Sequence, residues 1–221
     1  MPSRAAVDPA RARSVFINCP FDETYKPLLR AACFAIIACG HTPRCALDFD
    51  DGGAVRVVEI IKLIAGCGFS VHDISRVQLD TSNNLPRFNM PFELGADLGL
   101  RLQGPKAQQS RKTLILDGAP HQYDKTLSDI SGMDPKFHGD DVNQVIRHVR
   151  DWLNANWDSS WGQHPPGANA ICADHVAYLQ IAPDIIQTLR LDPHDDLPHI
   201  DYLKVVHLAL PRIAAARGAN P

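Results

Sequence analysis

With 221 residues, 45% of them hydrophobic, the chain is long enough for one domain with a sizeable core and an appendage, or for two small domains. A net charge of −3 with no basic block excludes nucleic acid and an anionic membrane as default partners. No run approaches the roughly 18 apolar residues that a membrane span requires.

The N-terminal stretch MPSRAAVDPARAR has no secretory apolar core and reads as a flexible leader over residues 1–13. SVFIN (14–18) is a compact β-branched and aromatic strand, followed by CPFD and by ETYKPLLRAACFAIIAC (23–39), a helix closed by Gly40. TPRCAL (42–47) is a second strand, and the loop DFDDGG follows it. AVRVVEIIKLIAG (54–66) has apolar positions at a 3.6-residue period and ends on glycine, so it reads as helix. FSVHDIS (69–75) is a third strand, and its long polar loop leads into the helical stretch FELGADLGLRL. KTLILD (112–117) is a fourth strand. Alternating short apolar strands and helices predict an α/β fold with a parallel sheet covered on both faces. Its expected form is flavodoxin-like, three-layered, with strand order 2-1-3-4-5.

DDVNQVIRHVRDWLNANW (140–157) reads as an amphipathic helix closing an α/β domain over 14–158. SSWGQHPPGAN (159–169) reads as a connector. Beyond it, a helical extension to residue 221 is expected as two helices interrupted by prolines. The six cysteines (19, 33, 39, 45, 67 and 172) lie mostly inside apolar runs and read as reduced, buried thiols of a cytoplasmic protein.

In an open parallel sheet, ligands bind beyond the carboxyl ends of the strands, where the strand order reverses. The loops leaving the first and third strands, NCPFDETY (18–25) and DISRVQLDTSNNLPRFNM (73–90), would converge there. The second loop delivers the chain to Glu93. Read as a first-turn residue, Glu93 would be held ionised by the helix dipole, which is worth about 0.3–1 kcal/mol. An ionised carboxylate suits the stabilisation of a cation, nucleophilic attack or the holding of a sugar hydroxyl. Gly95, Ala96 and Gly99 form a small-residue face on the same helix. Glycine there costs about 1 kcal/mol against alanine, which predicts a close approach by another group. The plain alternative is a capped helix packed tightly on the sheet.

SVFINCPFDETYKPLL resembles the opening strand and loop of Toll/interleukin-1 receptor (TIR) domains. FNMPFELGADLG is similar to the catalytic-glutamate helix of TIR-type NAD hydrolases and to the ELG helix of nucleoside 2-deoxyribosyltransferases. The resemblance covers about residues 14–117. FNMP lacks the tryptophan–cysteine pair of many TIR domains, and NCPFD differs from their usual loop, so the likeness is to a TIR-like or deoxyribosyltransferase-like protein. It implies Glu93 as catalytic carboxylate, with Phe16, Asn18 and Asp22 bordering the substrate and Asp73 near the ribose. Cys19, Pro20, Phe21, Ser75 and Asn89 complete the expected substrate-binding set from the two crevice loops.

The resemblance further implies cleavage of an N-glycosidic bond, with NAD as substrate rather than cofactor, self-association, and a place in bacterial defence or signalling. Nicotinamide leaves NAD as a neutral molecule, so one ionised carboxylate facing an oxocarbenium-like state can suffice. A nucleoside base usually needs protonation as well. The alternatives are therefore a nucleoside deoxyribosyltransferase-like enzyme or a binding module without turnover.

Other constellations carry less. DFDDGGAVRVVE (48–59) half-matches a calcium loop, but Gly52 and Arg56 occupy ligand positions and a strand precedes it, so it reads as a solvated loop. There Asp50 and Asp51 would rim the pocket. Cys39, His41, Cys45, Cys67 and His72 lack the tight paired spacing of a zinc site, and no metal is expected. Cys19 has no base marked by the sequence for nucleophilic work. His194, His199 and His207 show no ligand-like regularity.

Overall fold

A computed structural model describes residues 9–49, 51–76, 79–80, 85–121 and 123–218. Its strands are β1 (Ser14–Asn18), β2 (Thr42–Cys45), β3 (Phe69–Asp73), β4 (Leu79–Asp80), β5 (Leu85–Pro86), β6 (Lys112–Asp117) and β7 (Lys136–Phe137). Its helices are α1 (Pro9–Arg13), α2 (Lys26–Ala38), α3 (Arg56–Ala65), α4 (Asn89–Gln103), α5 (Lys106–Gln109), α6 (Val142–Ala155), α7 (Ala168–Leu189) and α8 (His199–Gly218).

Five strands pair in parallel in the order β2-β1-β3-β6-β7, while β4 and β5 form a separate antiparallel pair. Counted within the main sheet alone, this is the flavodoxin-like order 2-1-3-4-5. Every residue of β1 and β3 is buried, as expected of central strands covered on both faces. Alternation along β1 sends Val15 and Ile17 into the cluster holding α2 and α6, and Phe16 into the one holding α3. The fifth strand, β7, is only two residues long and gives little periodic signal.

Helix α2 starts at Lys26, three residues later than its apolar pattern, because Glu23–Tyr25 form a turn closed on Asp22. The N–H groups of Tyr25 and Lys26 donate to the Asp22 carbonyl at 3.1 and 3.0 Å. Its far end is a Schellman cap. His41 N–H donates to Ile36 and Gly40 N–H to Ile37, with Gly40 at φ +73°, where glycine escapes the usual steric penalty.

Residues 9–13, read from sequence as part of a flexible leader, form α1, and it is tied down. Arg11 Nε donates to the Ala65 carbonyl at 3.1 Å, and Arg13 Nη2 to that of Trp161 at 3.1 Å. Gly68 permits this approach, since a Cβ there would stand 2.9 Å from the Arg11 carbonyl oxygen that its N–H already binds.

The two last helices run through Pro183 and Pro211 rather than breaking there. Packing outweighs the lost backbone bonds. Tyr178, Ile185, Tyr202, Val205 and Ile213 lie in one cluster with Leu28, Phe34 and Ile36 of α2 and Val149 of α6. This explains why α2 is apolar on nearly every side: the sheet covers one face and α6, α7 and α8 cover the rest. Among the described residues no helix is long and apolar enough to cross a membrane.

Candidate functional site

The strand order reverses between β1 and β3, and a cavity of about 700 Å³ opens beside their carboxyl ends. The β1 loop supplies Asn18, Cys19, Pro20, Phe21 and Asp22 to its wall. The α4 side supplies Arg87, Asn89, Met90, Phe92 and Glu93, and α3 supplies Arg56, Val57 and Ile60. Glu93 and six of the nine residues expected around a substrate meet here. Arg56 and Arg87 were not anticipated. Their cationic side chains beside apolar rings are a signal readable only once the loops are placed.

Each wall residue is positioned by a particular bond. Asn18 is buried, and its amide donates to the Met90 carbonyl at 2.8 Å and to His72 Nδ1 at 2.9 Å. The other ring nitrogen of His72, Nε2, faces Asp97 Oδ2 at 3.3 Å. Asp22 clamps the rim. One oxygen accepts from Thr24 Oγ1 at 2.6 Å and from the Tyr25 N–H at 3.0 Å, and the other accepts from Arg87 at 2.7 Å. Burial opposes ionisation of Asp22, but those donors and the Arg87 charge outweigh it and hold its pKa below the usual range. The Cys19 thiol is pushed well up, first by burial and then by the nearby Asp73 charge, the reverse of an activated nucleophile.

Glu93 corrects one expectation. Helix α4 begins at Asn89 and its first turn holds no acid, so Glu93 stands beyond the reach of the strongest dipole effect. Burial dominates instead and raises its pKa to about 7, opposed by the Arg56 charge. Near neutrality this carboxyl is shared between its two protonation states. Gly95 and Gly99 also depart from expectation. Among the described residues a Cβ at either would meet nothing within 4 Å, and both are exposed, whereas Ala96 packs against the cluster of Ile60 and Ile64.

Three residues expected at the substrate lie elsewhere. Phe16 has no exposed surface and packs among Ile60, Leu63 and Ile64, because its position in the strand alternation points it into the core. Asp73 is likewise enclosed. Its Oδ2 accepts from Tyr25 Oη at 2.5 Å and faces His138 Nε2 at 3.0 Å, while Oδ1 accepts the Ser75 N–H at 2.9 Å. Ser75 is buried beside it and does not reach the cavity wall. Asp73 thus anchors the base of the crevice. Asp51 is exposed, binding the Gly53 N–H, and Asp50 lies outside the described residues.

Behind the crevice, Arg111 and Asp97 form a fully buried ion pair. Arg111 Nε and Nη2 reach Asp97 Oδ1 at 2.7 and 2.6 Å, and Nη1 donates to the carbonyls of Ile64 and Cys67 at 2.6 Å. Ser70 and Thr113 donate to Asp97 Oδ2 at 2.7 and 3.0 Å. This network joins α3, α4, β3 and β6 and holds α4, with Glu93, against the sheet. Of the cysteines and histidines considered for zinc, His41 packs edge-on to Phe69 and Trp161, and Cys39 and Cys67 are buried free thiols. The chain matches no known protein-family model, no curated protein and no solved structure.

Proposed function

We propose that the protein is a TIR-like enzyme that cleaves N-glycosidic bonds, with NAD as its substrate and Glu93 as the essential carboxylate. The observation carrying this reading is the half-buried Glu93 carboxyl, raised to about 7, in a 700 Å³ cavity at the strand-order reversal. Cationic Arg56 suits the diphosphate of a dinucleotide, and Phe21 and Phe92 offer faces for flat rings. A nicotinamide ring entering the cavity brings a positive charge close to Glu93. That charge lowers the carboxyl's pKa and restores the ionised form at the moment an oxocarbenium-like ribose develops. The role in bacterial defence or signalling, the cytoplasmic location and self-association belong to the same proposal, resting on the family resemblance. The exposed Val176 and Leu179 of α7 and Ile200 and Leu208 of α8 give the tail helices a surface for that association.

The raised pKa favours a second reading, cleavage of a nucleoside, because a protonated Glu93 can donate to a leaving base. Incubation of concentrated protein with NAD and with a panel of nucleosides, followed by mass spectrometry, separates the two. On the NAD reading kcat/KM rises with pH through about 7, tracking ionisation of free Glu93. On the nucleoside reading, with Glu93 as acid, it falls over the same range. Glu93→Gln should lower turnover by about 10²–10³ on either reading. Absence of turnover on every substrate, with nucleotide still bound, leaves the crevice as a binding module and ends the enzymatic proposal.

A further inference from the structure

Far from Glu93 in sequence, three side chains of different chemistry converge where α8 meets the end of β2. Cys45 closes β2, Asp48 ends the single 3₁₀ turn that follows, and His199 opens α8. Cys45 Sγ lies 3.3 Å from His199 Nε2, and the same nitrogen lies 3.7 Å from Asp48 Oδ1. All three ligand atoms fall within 4.8 Å of one another. Bonds of about 2.3 Å to sulfur and about 2.0–2.2 Å to nitrogen and oxygen, at tetrahedral angles, require ligand atoms separated by about 3.3–3.6 Å. The sulfur–nitrogen and nitrogen–oxygen separations, 3.3 and 3.7 Å, lie at or close to that range.

We propose that Cys45, Asp48 and His199 form a zinc site, with water as the fourth ligand. The mixed sulfur, nitrogen and oxygen set suits a borderline-soft divalent ion, and excludes calcium and magnesium, which take oxygen. One thiolate and one carboxylate offset the two positive charges of the ion, while Arg44 stays paired to the outer oxygen of Asp48. Asp48 is already aimed. Its Oδ2 accepts from Arg44 Nε at 2.6 Å, which leaves Oδ1 turned towards His199, the outer bond that orients a metal ligand. His199 also lines a cavity of about 160 Å³ together with Leu47 and Leu197.

Cys45 binds zinc as a thiolate, so the thiol must give up its proton. Zinc displaces that proton to solvent as the Zn–S bond forms, and one proton is released per ion bound. The consequence for the fold is a metal tie between the central sheet and the last described helix.

The test uses full-length, tag-free protein, stripped with chelator and reloaded with zinc or with cobalt. One zinc per chain should survive gel filtration, and the cobalt form should show a thiolate-to-cobalt charge-transfer band. Cys45→Ser should abolish that band, while Cys172→Ser, distant from the site, should retain it. His199→Gln should weaken zinc by at least about tenfold and provides the test should Cys45→Ser not fold. Failure of the wild-type protein to retain metal, or a thiolate band that persists in Cys45→Ser, overturns the assignment. These readouts are independent of turnover and so of the role given to Glu93.

Discussion

Glu93 is held in its cavity at a cost to stability, and the direction of that cost can be worked out. Its ordinary value is 4.5 and its folded value about 7. Below 4.5 both states carry the proton, so pH has no effect through this group. Between 4.5 and about 7 the folded state keeps a proton that the unfolded state has lost, and stability falls as pH rises. Above about 7 the full penalty is present. Solvent screening of a partly exposed side chain reduces it to about 1–2 kcal/mol. Glu93→Gln should therefore raise the thermal midpoint by about 3–6 °C at pH 8 and leave it unchanged at pH 4.5, which differential scanning fluorimetry at the two pH values checks. FELG points to this residue and the fold puts it on a cavity wall, but the influence of burial on its protonation has no mark in the sequence. A helix start misplaced by a few residues changed the dominant influence from dipole to burial. For Asp73 the sequence marks a polar residue at a strand end, but not that Tyr25 and His138 enclose it.

At the scale of elements, the Arg111–Asp97 pair decides whether α4 stays on the sheet. Asp97 is held strongly ionised. Burial alone would raise its pKa, but the His72, Arg111 and Ser70 contacts lower it well below the usual range. Arg111→Leu removes the cation and leaves Asp97 buried without its main partner, a change worth about 3–5 kcal/mol. The expected result is a large drop in the urea midpoint, measured by far-UV circular dichroism. Replacing both residues by apolar ones of similar volume should recover much of it. The strands SVFIN and KTLILD were readable to the residue, because parallel strands covered on both faces centre on short apolar runs bounded by polar residues. The buried arginine was not, because nothing local distinguishes Arg111 from the exposed Lys112 beside it. Nor was the Cys45–Asp48–His199 cluster, whose members are brought together only by the docking of α8.

Over the whole molecule, the C-terminal helices complete the core. Phe34 of α2 packs against His175 and Tyr178 of α7, Arg30 lies over the Tyr202 ring of α8, and Tyr202 Oη donates to the Arg30 carbonyl at 2.8 Å. Residues 14–158 expressed alone would expose that face of α2. They should show no cooperative thermal transition and should bind a hydrophobic dye; a sharp transition in the truncated chain would establish them as an independent unit. The same arrangement has a consequence for synthesis. The contact between Arg30 and Tyr202 spans 172 residues. At translation rates of about 5–20 residues per second, Tyr202 is made roughly 10–30 s after Arg30. Until α6 and α7 emerge, a thirteen-residue helix of mostly apolar side chains has no cover on one side, and its cover stays incomplete until α8 follows, although the first strands of its sheet already exist. The nascent chain is thus a natural client for a ribosome-associated holdase, and slowing translation between α6 and α8 should lower the soluble yield rather than raise it.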